Sequence, residues 1–265
     1  MIELDGITKI YSRGFLRRQK TVAVDNVTLS IKKGETLGLV GESGSGKSTL
    51  GRIALRLIEP TSGAVRFDGT DLTQLSGKEL RKFRPRMQIL FQDPDTALDP
   101  RMTVRQCVEE PLAIWSLRGK EETEDRIAGL LGQVGLSPDL IDRYPFEISG
   151  GQKQRVALAR VLTLNPDFLV ADEPTAALDL SVQAQVLSLI KTIQKRTNLT
   201  LLFISHDLQV IGQMSDQVAV MHKGSIVEHG AVQDILNNPR HEYTRQLVAA
   251  AKESEAWLGK DPHKP

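Results

Sequence analysis

The sequence predicts an α/β fold with a helical insertion, on three observations. Short apolar runs without alternation occur at Thr36-Leu37-Gly38-Leu39-Val40, Asp167-Phe168-Leu169-Val170-Ala171 and Leu199-Thr200-Leu201-Leu202-Phe203-Ile204, the pattern of strands buried on both faces in a parallel sheet. A Gly-rich segment after the first run leads into Thr49-Leu50-Gly51-Arg52-Ile53-Ala54-Leu55, whose composition is helical, so this stretch reads strand, loop, helix. Across about 94–165 strand-like runs become few and helical stretches such as 121–134 take over, which reads as an insertion. From about residue 237 a third region has helical spacing over 243–257 and ends in Lys260-Asp261-Pro262-His263-Lys264-Pro265, a polar tail expected to fray. No internal repeat or low-complexity tract interrupts this layout.

Composition narrows the class. At 265 residues with 40% hydrophobic content the chain can bury an ordinary core, so disorder is not expected. Lys plus Arg number 34 against 33 Asp plus Glu, and a net charge of +1 supplies no general field for nucleic acid or an anionic membrane. Cys107 is the single cysteine, which excludes an intrachain disulfide or a cysteine cluster and fits a reducing setting. No apolar run approaches the roughly 20 residues of a spanning helix. The start, Met1-Ile2-Glu3-Leu4-Asp5, lacks the features of a signal peptide, so the chain itself is expected to stay in water.

The segment Gly41-Glu42-Ser43-Gly44-Ser45-Gly46-Lys47-Ser48 fits the G-x-x-x-x-G-K-[ST] phosphate-loop pattern in the strand-to-helix context that pattern requires. Glycines allow a backbone fold in which successive N–H groups point at phosphates, and the helix start adds partial positive charge. Lys47 supplies a full charge and the Ser48 hydroxyl, followed by Thr49, is placed for Mg²⁺. A Gly/Ser surface loop that happens to contain a lysine is the plain alternative.

The run Phe168-Leu169-Val170-Ala171-Asp172-Glu173 ends a strand in two adjacent carboxylates. Asp172 is expected to hold Mg²⁺ through water, leaving Glu173 to orient or deprotonate the attacking water. Alone, an acidic pair at a strand end reads equally as a solvated loop start. Ile148-Ser149-Gly150-Gly151-Gln152, followed by Lys153-Gln154-Arg155-Val156-Ala157-Leu158-Ala159-Arg160, reads as a Gly turn capped by Ser149 into an amphipathic helix. It offers a second anion-binding helix end, for a second nucleotide or one held by another molecule, and alone it would read as an ordinary cap.

With these residues in this order, nearly the whole chain resembles the ABC ATPase family, whose signature reads L-S-G-G-Q. The resemblance implies a P-loop NTPase core with a mixed sheet, an antiparallel β subdomain and an inserted helical subdomain. Residues 1–236 would form a single ATPase domain, with about 94–165 inserted in a RecA-like core, and 237–265 a tail. It implies that Tyr11 stacks on adenine, that Gln92 senses Mg²⁺ and the γ-phosphate, that Asp179 crosses a dimer and that His206 contacts the γ-phosphate. It also implies that Ser149, Gly150, Gly151 and Gln152 close over ATP held by Lys47 of a second, head-to-tail subunit. By themselves Tyr11 reads as a core or hairpin aromatic and His206 as a polar cap. Ile148 stands where the family has Leu, a swap of similar size.

Phe91-Gln92-Asp93-Pro94, Leu98-Asp99-Pro100-Arg101 and Asn238-Pro239-Arg240-His241-Glu242-Tyr243-Thr244-Arg245 are similar to the ATPase subunits of oligopeptide, dipeptide and nickel importers. Their tails carry H-P-Y-T-x-x-L, and here Glu242 replaces the proline. This similarity implies ATP and Mg²⁺, integral membrane permease subunits, a second ATPase subunit that is non-identical or, as the alternative, a second copy of this chain, a solute-binding protein and a place on the cytoplasmic face of the inner membrane. The cargo would be peptides, with nickel or a metal chelate as the alternative. An ABC-type ATPase acting on ribosomes or DNA is disfavoured, since one Lys47-type loop and no sustained heptads are present, and no nucleic acid is expected as a partner. A kinase or GTPase would leave residues 149–152 and His206 unexplained. Basic clusters at 13–20 and 81–86 read as solvated loop charge, with contact to a membrane partner or lipid head groups as the alternative.

Overall fold

We describe a computed structural model of the protein, covering residues 1–13, 19–116 and 120–258. It divides into two compact units, one of residues 1–74 and 202–265 and one of residues 75–201. The first begins with two long antiparallel strands, β1 (Ile2–Arg13) and β2 (Gln19–Ile31), in the register Ile2↔Ile31 and Leu4↔Leu29. β3 (Thr36–Val40) is buried at every position and leads to helix α1 (Lys47–Ala54). β4 (Ser62–Phe67) and the short β5 (Thr70–Asp71) complete an antiparallel sheet of order β2-β1-β4-β5. Alternation places Ile2, Leu4, Leu29, Val65 and Phe67 in its core, each such side chain stabilising by about 1.5–3 kcal/mol relative to exposure.

The second unit opens with α2 (Gly77–Arg81) and β6 (Met87–Leu90). It continues through α3 (Val104–Ile114), α4 (Lys120–Gln133) and α5 (Gly150–Leu162), with no strand among the described residues between Leu90 and Phe168. The helix expected over 121–134 is α4. A Thr103 and Gln106 capping box starts α3, and Arg160 of α5 donates to the Cys107 carbonyl at 2.7 Å while pairing with Glu110. Cys107 is fully buried and burial pushes its thiol up to about 11, so it serves as a small apolar residue. β7 (Phe168–Asp172) is buried throughout and runs parallel to β6, Met87 opposite Phe168 and Leu90 opposite Ala171. α6 (Leu180–Thr197) follows and stops at Asn198, whose φ of 53° gives the left-handed turn that Asn tolerates.

β8 (Thr200–Ser205) carries the chain back into the first unit, followed by α7 (Leu208–Met214), β9 (Gln217–His222), β10 (Ser225–Ala231), α8 (Val232–Asn237) and α9 (Glu242–Leu258). β9 is parallel to β3 and antiparallel to β10. α9 is the helix expected over 243–257, while residues 260–265 and most of the 13–20 cluster lie outside the described residues. The 81–86 cluster is more engaged than solvated charge. Arg86 Nε lies 2.5 Å from Asp167 Oδ2, and the Arg81 guanidinium sits 5.4 Å from the Trp115 ring centre, a cation–π distance. No helix among the described residues is long and apolar enough to cross a membrane.

Candidate functional site

In the first unit the loop after β3 rests directly on neighbouring backbone. A Cβ on Gly41 would lie 2.1 Å from the Met221 carbonyl oxygen, and one on Gly46 would lie 2.1 Å from that of Ala23. Gly46 also has a φ of 108°, so both space and conformation demand glycine there. No side chain caps α1, and the partial positive charge of a helix start favours an anion there. α1 begins at Lys47, two residues before the expected helix, and this brings the lysine inside. Lys47 is only 4% exposed, its Nζ donating to the carbonyls of Gly41 at 2.7 Å and Glu42 at 2.9 Å. An ammonium removed from water costs several kcal/mol unless compensated, so a polyphosphate is favoured beside it. The Ser45 hydroxyl is buried without a hydrogen-bond partner. A Cβ on Gly44 would meet open space. Glu42, Ser43 and Gly44 are exposed, and Ser48 and Thr49 are half-buried in the first turn. These features fit a bound polyphosphate.

Tyr11 lies on β1 opposite Thr21, 42% exposed, with Lys9 Nζ 5.2 Å from its ring centre. It is thus a hairpin aromatic with a face available for stacking. His206 is exposed directly after β8, and Asp207 caps α7 by accepting from the Gln209 N–H at 2.8 Å. Two residues to which sequence reasoning gave no role, His222 and Tyr243, contact Glu42.

In the second unit Ser149 caps α5 in a capping box, accepting from the Gln152 N–H at 3.3 Å while Gln152 Oε1 accepts from the Ser149 N–H at 2.8 Å. The S-x-x-Q spacing explains this local structure. Gly150 and Gly151 are the first helical residues. A Cβ on Gly151 would lie 2.3 Å from Val182 Cγ1 of α6, so glycine here provides clearance. Asp179 Oδ1 caps α6 through the Val182 N–H at 3.0 Å, and a Cβ on Gly150 would meet Leu178 at 3.7 Å. The signature residues and Asp179 are therefore neighbours. Leu180, next to Asp179, is 76% exposed.

Gln92 is exposed just beyond β6. The buried Gln154 of α5 donates from Nε2 to the Phe91 carbonyl at 3.3 Å, and Lys153 Nζ reaches Asp95 at 2.7 Å. The chain around Gln92 is thereby tied to the signature helix. Asp99 and Arg101 form a two-point ion pair, and the Arg101 hydrogen bonds hold the Asp99 carboxyl down to about 2. Asp172 ends β7 and is buried, and Glu173 follows with a φ of 47°. A non-glycine residue in the left-handed region is uncommon, and such strain concentrates at working sites.

Residues 24–176 match the ABC transporter family. A provisionally named peptide import ATP-binding protein of Brucella ovis is 49% identical over 251 residues, covering 94% of this chain and 78% of that protein. The oligopeptide transport ATP-binding protein AppF of Bacillus subtilis is 48% identical over 229 residues, covering 86% of this chain and 70% of AppF. Among solved structures, a dimeric ATP-binding cassette in a post-hydrolysis state bound to ADP and Pi aligns with a TM-score of 0.79 at 33% identity, over 88% of this chain and 99% of that one. The fold, the phosphate loop and these likenesses agree, and the chain belongs to the ATP-binding, ATP-hydrolysing subunits of the ABC transporter family.

Proposed function

We propose that this chain hydrolyses ATP to energise import of peptides through separate membrane-spanning subunits. The observation that carries the reading is the pair of anion-ready helix starts, one with a buried Lys47 and one opened by Gly150 and Gly151 beside a Ser149 cap. One wraps the chain's own nucleotide and the other completes the site of a second subunit.

In this reading Tyr11 stacks on the base, while the backbone of Gly41, Glu42, Ser43, Gly44, Ser45 and Gly46 encloses the phosphates. Lys47 neutralises charge on the β- and γ-phosphates, and the N–H groups of Ser48 and Thr49 add the helix-start field. Among the described residues no group of three or more His, Cys, Asp and Glu forms a metal cage, and Mg²⁺ is commonly held by few side chains together with phosphates. Ser48, Asp172 and Gln92 would be those side chains. When bound, Mg²⁺ lowers the charge repulsion that hinders attack on the γ-phosphate. Glu173 orients the water and accepts its proton, a role worth about 10²–10⁴-fold. His206 donates to the γ-phosphate oxygens, and Gln92 reports their departure. Ser149, Gly150, Gly151 and Gln152 bind the second subunit's ATP, with Asp179 beside them at the junction.

The peptide cargo is supported by the names of the relatives and by the tail, Arg240 to Arg245. The second unit also contains a cleft of about 310 Å³ whose lining includes Phe91, Thr96, Ala97, Ile114, Trp115 and Arg160. It adjoins the Gln92 segment and is the proposed seat of a permease helix on the cytoplasmic face of the membrane. The second ATPase is a similar but non-identical chain, on the strength of the specialised tail with Glu242, and a solute-binding protein delivers the cargo. The test is uptake into vesicles carrying the permeases, both ATPases and the binding protein. Labelled peptide should accumulate only with ATP, and stop when Lys47→Ala is used. Accumulation of nickel chelate without peptide would move the chain to the metal branch. Purification through a tag on this chain that yields one ATPase in two copies would contradict the mixed pair.

A further inference from the structure

We propose that Tyr243, at the start of the C-terminal helix, is a positioning residue that holds the phosphate loop in its nucleotide-binding shape. The loop is gripped on two sides by chain that follows β8, all within the first unit. On one side the turn between β9 and β10 donates the Gly224 N–H to the Ser45 carbonyl at 2.9 Å. On the other the Tyr243 hydroxyl oxygen accepts the Glu42 N–H at 2.9 Å, across 201 residues of sequence. The His222 ring packs on the Tyr243 ring with centres 4.0 Å apart. His222 Nδ1 lies 3.1 Å from Glu42 Oε1, close enough for ion pairing though outside hydrogen-bond geometry. Main chain and side chain of Glu42 are thus both engaged.

Tyr243 is itself fixed from below. Glu228 of β10 accepts the N–H groups of Arg240 at 2.8 Å and His241 at 3.0 Å, and the Tyr243 N–H donates to His241 Nδ1 at 3.2 Å. Burial would raise the Glu228 pKa, but the nearby Thr244 hydroxyl and these two N–H groups hold it below the usual carboxylate range. The charged form is the one the helix start needs. The tail segment Arg240-His241-Glu242-Tyr243-Thr244 therefore builds a short post carrying one phenol to the loop. The loop's Lys47 bonds the carbonyls of Gly41 and Glu42, so a shift at Glu42 is passed to the ammonium that meets phosphate.

The inference rests on the nucleotide-binding reading of the loop, and its test separates the two. Tyr243→Phe keeps the ring against His222 and removes only the acceptor. A neutral hydrogen bond contributes about 0.5–1.5 kcal/mol, or roughly 2- to 12-fold, and affinity scales with the fraction of loop already in the binding shape. With the otherwise intact chain, calorimetry should show ATP binding weakened by about three- to tenfold, with the melting temperature lowered by no more than about 6 °C. Exchange of the Glu42 amide hydrogen, followed by NMR, should quicken by a similar factor. Wild-type affinity in the Phe variant, or an unaltered Glu42 amide, would overturn the positioning role while leaving the loop's function intact. Failure of the wild-type chain to bind ATP would instead overturn both. A Tyr243→Trp variant, which keeps an aromatic ring but not the acceptor, should match Phe; wild-type affinity there would overturn the role given to the acceptor.

Discussion

The helix starts at the phosphate loop and at the signature segment both use glycine, and the glycines serve opposite purposes in them. In the phosphate loop Gly46 takes a φ of 108° and sits where a Cβ would strike the Ala23 carbonyl oxygen at 2.1 Å. Neither obstacle yields, because one is conformational and the other is backbone. In the signature segment Gly151 is ordinary helix and its Cβ would strike Val182 Cγ1, a side-chain atom, at 2.3 Å. That obstacle can be removed. The helix at the phosphate loop lacks a side-chain cap, while α5 is closed by a full capping box. One start is shaped by backbone contact and left open for a ligand, and the other is a stable helix end with two bare positions. In the proposed cycle the first would enclose a nucleotide and the second would dock against another subunit.

Substitutions can break this contrast at its strongest point first. Gly46→Ala is expected to cost about 3 kcal/mol from strain and backbone overlap and to abolish ATP binding, as read by urea unfolding and calorimetry. Gly151→Ala should cost about 1–3 kcal/mol by overpacking with ATP affinity of the isolated chain intact. Adding Val182→Ala should return most of that loss, a coupling measurable in a double-mutant cycle, whereas additive losses would show that Gly151 is needed for conformation after all. Ser149→Ala should cost about 1 kcal/mol, the usual value of a lost cap, again without loss of ATP affinity in the isolated chain.

Legibility in the sequence followed the range of the interactions. Lys47 and Ser149 could be read because their chemistry is local: a glycine loop between strand and helix, and a Ser with Gln three residues on. β3, β7 and β8 could be read from unbroken apolar runs, and their burial at every position bears this out. The engagement of Glu42 by Tyr243 could not, because the two are 201 residues apart and an H-x-Y-T segment carries no local reason to touch a phosphate loop. Arg86 reads from sequence as solvated charge for the same reason: its partner Asp167 is distant in sequence. The left-handed conformation of Glu173 also escaped notice, since composition favours glycine or asparagine at such positions and a glutamate there gives no signal.

That last residue is the proposed base, and Glu173→Gln tests the proposal most directly because the amide keeps the shape of the side chain and loses its basic oxygen. Measured on the assembled transporter under identical conditions, ATP affinity should stay within about twofold of wild type while turnover falls at least about 100-fold, the lower end of a general-base contribution. Turnover above about a tenth of wild type, a barrier change under about 1.4 kcal/mol, would contradict the account and place the base elsewhere.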